Sequence, residues 1–151
     1  MTTHFHLTPG HIGLNVSNLE NARKFYCAVF GLETAAISTE PGREYALLSQ
    51  DGDIVLTLWR QSDGKFSGST PGLHHLAFRA QSLADVEASQ ERVVAAGGRI
   101  LHGGIVPHRE GASSGGIFFE DPDGIRLEVF TASGVEGREA PVKGAPTCGF
   151  F

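Results

Sequence analysis

Along residues 10–16 apolar and polar positions alternate, with Ile12, Leu14 and Val16 on one side and His11, Gly13 and Asn15 on the other. That period of two is the signature of a strand with one buried face. The period then lengthens, and Leu19, Ala22, Phe25, Tyr26 and Val29 form a helical stripe that predicts a helix over residues 19–30. Ser17 or Asn18 can cap its start, and Gly31 stops it. Alternation resumes over residues 33–38, 44–49 and 53–60, with Pro41-Gly42 and Asp51-Gly52 as turns, so the first stretch reads βαβββ. In its last strand Ile54, Leu56 and Leu58 point one way and Val55, Thr57 and Trp59 the other.

Residues 61–72 mix Ser, Gly, Asp and Pro and read as a linker. A second strand and helix follow, and a shift of 64 positions carries His11 to His75, Asn18 to Ser82 and Leu19 to Leu83. This reads as an internal duplication, with a strand His and an N-cap at matching points in both copies. The second helix is expected over residues 83–96, with Leu83, Val86, Val93 and Ala96 apolar, Asp85 in the first turn and Gly97-Gly98 beyond the end. Strands at 99–102, 117–120 and 125–130 complete a second βαβββ order. The last two strands flank Asp121-Pro122-Asp123-Gly124, a tight turn in which Pro presets φ and Gly accepts a positive one. The expected division is a first module at 1–60, a linker at 61–72, a second module at 73–131 and a tail at 132–151. Residues 103–116 read as a loop of functional length containing His108, and the tail shows no repeat pattern.

Composition narrows the function. The 151 residues suffice for a core without disulfide help, and Cys27 and Cys148 form no framework and no thiolate metal site. A net charge of -5 with 12 scattered basic residues argues against nucleic acid or an anionic membrane surface as partner. Met1 to His6 lacks a charged region followed by an apolar run, and no window approaches a membrane span, so a soluble cytoplasmic protein is the expectation. The 20 glycines are spread through turns and indicate many short connections.

In the strand over residues 125–130, Ile125, Leu127 and Val129 take the apolar face and Arg126, Glu128 and Phe130 the other. His11 and His75 on the matching first strands and Glu128 on the final strand thus each lie opposite the apolar side of their element. Two imidazoles and a carboxylate on a rigid frame can bind a divalent metal on one side and leave positions open for water, oxygen or substrate. Taken singly, each is more often an ordinary strand residue, and the repeat is what raises the metal reading. Asn15, Thr57, Trp59, Arg79 and Phe130 share the same expected face and are candidate pocket residues. His108 is the available general acid or base, set against the plainer reading of an exposed loop histidine.

The chain resembles the vicinal oxygen chelate superfamily, which includes glyoxalase I, fosfomycin-resistance transferases, methylmalonyl-CoA epimerase, extradiol dioxygenases and bleomycin-resistance binding proteins. The resemblance covers residues 10–130 and rests on the segment from Gly10 to Val16 before a helix ending FYCAVFGLE, on Gly72 to Phe78, and on Asp121-Pro122-Asp123-Gly124 followed by Leu127-Glu128-Val129. It implies an α+β fold of two βαβββ modules forming a curved, mixed, eight-stranded sheet around a central cavity. It also implies metal ligands at His11, His75 and Glu128. The ligand of the second module stands immediately before Leu-Ala-Phe in this family, which favours His75 over His74 unless a bulge interrupts the strand. Glyoxalase-like and epimerase-like members carry a fourth ligand, Glu or Gln, where this chain has Thr57, or Val55 in the other register. Neither is a good divalent-metal ligand. The set therefore resembles extradiol dioxygenases, which use iron(II), and fosfomycin-resistance enzymes, which use manganese(II). With no cluster of Lys and Arg for a phosphonate, the expectation leans to a dioxygenase-like enzyme acting on a small substrate chelated through neighbouring oxygens. A fosfomycin-resistance-like transferase or lyase and a metal-free binding protein of the bleomycin-resistance type are the alternatives. Open sheet edges and exposed apolar surface predict a homodimer, in which exchange of modules between subunits can bring ligands together.

Overall fold

A computed structural model describes Met1 and residues 4–151. Thr2 and Thr3, within the opening segment read for an export signal, lie outside the described residues. The first module runs β1 (Ile12–Asn15), α1 (Leu19–Phe30), β2 (Glu33–Ser38), β3 (Tyr45–Gln50) and β4 (Asp53–Trp59). The second runs β5 (Leu76–Arg79), α2 (Leu83–Ala95), β6 (Arg99–Ile100), β7 (Val106–Pro107), β8 (Gly115–Glu120) and β9 (Arg126–Thr131). The class is α+β, and the strands form two sheets, ordered β1-β4-β3-β2 and β5-β9-β8-β6, with β7 added beside β8. No helix among the described residues is long and apolar enough to cross a membrane.

Local chemistry explains the helix limits. The Asn18 side chain accepts from the Asn21 amide at 2.9 Å, and Gly31 closes α1 in the left-handed region at φ 67°. Ser82 accepts from the Asp85 amide to start α2. The buried stripe of α1, Leu19, Ala22, Phe25, Tyr26 and Val29, meets Val86 and Val93 of α2 and Ile117, Phe119, Leu127 and Val129 of the second sheet in one core. Phe30 carries the junction, with its ring 4.4 Å from Phe78 and 6.2 Å from Phe119. The modules are therefore joined through helices and apolar sheet faces, while Gly13 and Asn15 on the opposite face of β1 stay exposed.

The Asp121–Gly124 turn adds a polar fastening. Asp121 accepts from the amides of Asp123 and Ile125 at 2.8 Å each and from the Tyr26 hydroxyl at 2.8 Å. Asp123 accepts from the Ser17 amide at 2.8 Å and from the Ser17 hydroxyl. Both carboxylates are buried, so the turn of the second module is stitched to the first helix of the chain.

Strand limits differ from the periodicity in the second module. The stretch expected as a loop over 103–116 contains β7 and the start of β8. Gly115 and Gly116 have no side chains to show a period, yet β8 needs them, since a Cβ at Gly116 would stand 1.9 Å from the Val129 carbonyl oxygen. Beyond β6 the chain leaves the sheet at His102, which takes φ 55°.

Candidate metal centre

In each module the first and last strands pair in parallel. Gly13 stands opposite Thr57 in the first, and Ala77 opposite Glu128 in the second. The shift of 64 positions carries Gly13 to Ala77, so Thr57, and not Val55, is the internal counterpart of Glu128.

Glu128 is only 3 % exposed although it lies opposite the core-facing Leu127 and Val129. Two imidazoles meet its carboxylate. His75, immediately before β5, places Nε2 at 3.4 Å from Oε2. His108, immediately after β7, places Nε2 at 2.5 Å from Oε1 while its Nδ1 lies 2.9 Å from the Ser114 hydroxyl. The Phe130 ring stands 5.2 Å from that of His108. Burial lowers the pKa of His75, an effect the neighbouring Glu128 charge opposes and His74 reinforces. The neutral ring this favours is the form that donates a lone pair to a metal. His74 is exposed and meets His75 Nδ1 to Nδ1 at 2.9 Å, leaving His75 Nε2 to face the carboxylate.

Of the other candidates, His11, Asn15, Thr57 and Trp59 belong to the first module, while Arg79 stands on β5 opposite Phe130. His11 is exposed, one residue before β1. Asn15 accepts from the Gln61 amide at 2.9 Å. Trp59 is 38 % exposed, stands 5.5 Å from the Tyr45 ring, and donates its indole N–H to Thr57 Oγ1 at 3.0 Å. Arg79 is exposed on β5. His75, His108, Glu128 and Phe130 thus come together on the second sheet, while His11, Asn15, Thr57 and Trp59 occupy the first. Among the described residues of one chain, no group of three or more His, Cys, Asp or Glu is arranged to hold a metal ion. Within the chain, the donors at hand are His75 Nε2 and Glu128 Oε2, a nitrogen and oxygen pair suited to a first-row divalent ion but needing a further ligand.

Several neighbours of the cluster left no trace in the periodicity. Ser114 sits in a short polar run. Cys148 and Phe151 belong to the tail, which shows no repeat pattern. Burial pushes the Cys148 thiol pKa up, and the charge of Glu128 adds to the effect. The Phe151 ring stands 5.4 Å from His75 and 5.5 Å from Phe118.

Residues 8–129 match the glyoxalase/bleomycin resistance protein/dioxygenase superfamily. The chain belongs to it. This superfamily contains many metal-dependent enzymes, and its members are commonly homodimers acting on small substrates. Protein YqjT of Bacillus subtilis (strain 168) is 30% identical over 82% of the chain and 98% of its own length. The trivalent organoarsenical cleaving enzyme of Bacillus sp. (strain MD1) is 29% identical over 91% of the chain and 80% of its length. Catechol-2,3-dioxygenase of Bacillus subtilis (strain 168) is 27% identical over 80% of the chain, which spans 40% of that enzyme. The crystal structure of a glyoxylase/bleomycin resistance protein/dioxygenase domain from Frankia sp. EAN1pec superposes with a TM-score of 0.70 at 21% identity, covering 84% of this chain and 98% of that one. At that identity the likeness speaks for the fold alone.

Proposed function

We propose that this protein is a divalent-metal-dependent, dioxygenase-like enzyme of the superfamily, acting on a small substrate that chelates the ion through neighbouring oxygens. His75 and Glu128 of one chain and His11 of a second copy hold the ion, in a cytoplasmic homodimer. The observation that carries this reading is the Glu128 carboxylate, 3 % exposed, with Oε2 turned to His75 and, among the described residues, only His75 and His108 as ion-pair partners. A carboxylate so buried requires compensation, and a metal ion supplies it while using the same imidazole. The exposed His11 and the separate sheets support the second copy as the source of the third ligand.

A bound iron(II) or manganese(II) would supply Lewis-acid polarisation of the substrate oxygens and, for iron, a place for dioxygen. The chain's own groups do the rest. His75, tilted toward neutrality by burial, presents Nε2 as a donor. His108 Nε2 holds Glu128 Oε1, which orients Oε2 toward His75. With Nε2–H donating to the carboxylate, the neutral ring leaves Nδ1 to accept from the Ser114 hydroxyl. A substrate hydroxyl that displaced the carboxylate contact would free Nε2, in the other neutral tautomer, to take and return its proton. Phe130 packs a tilted ring against that of His108. Thr57 contributes no charge and its oxygen is engaged by Trp59, so it supplies no fourth ligand.

Metal analysis of protein purified without chelators, followed by oxygen consumption with a panel of catechols, tests the reading. It predicts stoichiometric iron or manganese and oxygen uptake with at least one catechol. Near-zero metal in the wild type would overturn it in favour of a binding protein.

A further inference from the structure

The superfamily match ends at residue 129, and the chain beyond β9 returns to the candidate centre. Val135 and Ala140 are buried along the way. Thr147 is fully buried, its amide donating to the His108 carbonyl at 2.7 Å and its hydroxyl to the Pro107 carbonyl at 2.8 Å. A 3-10 turn at Thr147–Gly149 then carries Phe151 over His75. The two rings lie 5.4 Å apart and are tilted by 33°, while Phe118 meets Phe151 edge-on at 77°. On a further side the Arg126 guanidinium stands 5.6 Å from the Phe151 ring, and equally 5.6 Å from Phe66 of the linker.

These contacts bear on access. Strand β9 and its core-facing residues lie behind Glu128, and His75 and His108 flank its oxygens. Phe151 packs against His75 and Phe118, so the segment roofs the same cluster. The strands on this side are held by ladders of backbone hydrogen bonds. The segment is held by the bonds of Thr147 and by ring contacts, which makes it the part that can leave at least expense to the fold.

We propose that residues 147–151 are a displaceable cover of the candidate centre, and that Phe151 governs what reaches Glu128 by standing where a planar ring of the ligand would lie. The slot has a tilted ring contact with His75, an aromatic edge from Phe118 and a cation from Arg126, so it suits a flat aromatic ring bearing negative charge. As to ligand class, this rests on the reading of His75 and Glu128 as metal ligands. The cover itself does not.

The test therefore uses metal-free protein. Diethyl pyrocarbonate labelling of His75, mapped by fragmentation mass spectrometry against the exposed His6, is compared among the full chain, a chain ending at Ala145, Phe151→Ala and Phe150→Ala. Because reactivity follows the open fraction, His75 should label about tenfold faster relative to His6 in the shortened chain, faster in Phe151→Ala, and unchanged in Phe150→Ala. Phe151→Ala keeps the Thr147 anchor, so the cover stays testable if the shortened chain fails to fold. Unchanged His75 labelling in Phe151→Ala, or equal acceleration in Phe150→Ala, would overturn the assignment. Faster labelling in proteins that never bind metal would uphold the cover and defeat the functional reading.

Discussion

The two modules share a frame and differ in what they place on it. Both pair their first strand in parallel with their last, and both set a small residue opposite the position that matters, Gly13 against Thr57 and Ala77 against Glu128. In the first module that position is neutral and its oxygen is occupied by the Trp59 indole, beneath a face on which Gly13 and Asn15 remain exposed. In the second it is a carboxylate with an imidazole at each oxygen and the tail across it. His108 reaches Glu128 because the second module breaks the repeat, leaving its sheet after the two-residue β6 and returning as β7. Duplication therefore accounts for the scaffold, and departures from it account for the chemistry.

The largest way to sharpen that contrast is His75→Ala. Two remaining ligands rarely hold a divalent ion against water, so bound metal should fall to background in a mass-spectrometric metal assay. Retained stoichiometric metal would place the centre elsewhere. Next is Thr57→Glu, which makes the first module copy the second. It should keep or gain metal affinity while lowering oxygen uptake with catechols by about tenfold or more, since a new carboxylate competes for a coordination position. Unchanged turnover would show that Thr57 does not border the ion.

A smaller effect tests the fastening between modules. Tyr26→Phe removes the hydroxyl that donates to Asp121, a loss of about 2 kcal/mol at pH 7 by urea denaturation, as expected for a hydrogen bond to a charged group. Burial raises the pKa of Asp121 above its ordinary 3.8, against the lowering effect of the Tyr26 hydroxyl. The folded protein therefore holds this proton more tightly than the unfolded chain. The stability this confers is fully present below pH 3.8 and is lost as pH rises through the elevated folded value. Removing Tyr26 raises that value further, so the deficit of Tyr26→Phe should shrink between pH 7 and pH 3. A deficit that grows in acid would contradict the assignment.

The helix at residues 19–30 was legible to the residue because cap, stripe and stop all agree, from Asn18 through the Leu19 to Val29 stripe to Gly31. Strand faces were legible for the same reason, with Leu14, Leu127 and Val129 buried as the alternation requires. Periodicity says which face of a strand is apolar but not which edges meet, so it could not show that one chain forms two sheets, with His11 away from Glu128. Nor could it show β7, built from Val106 and Pro107 beside glycines with no pattern of their own. Of the groups around Glu128, His108 and its partner Ser114 come from the irregular stretch 103–116 and Phe151 from the tail, where tertiary contacts and not local period set the position.

The central claim is that His11 of one chain completes a centre with His75 and Glu128 of another, and mixing two inactive variants tests it directly. His11→Ala and Glu128→Ala are purified separately, dissociated together, reassociated and assayed for bound metal beside each variant alone. A shared centre predicts that neither variant alone holds metal and that the mixture does, because each mixed dimer regains an intact site from the His11 of one chain and the Glu128 of the other. Verified mixed dimers that stay free of metal would contradict the account.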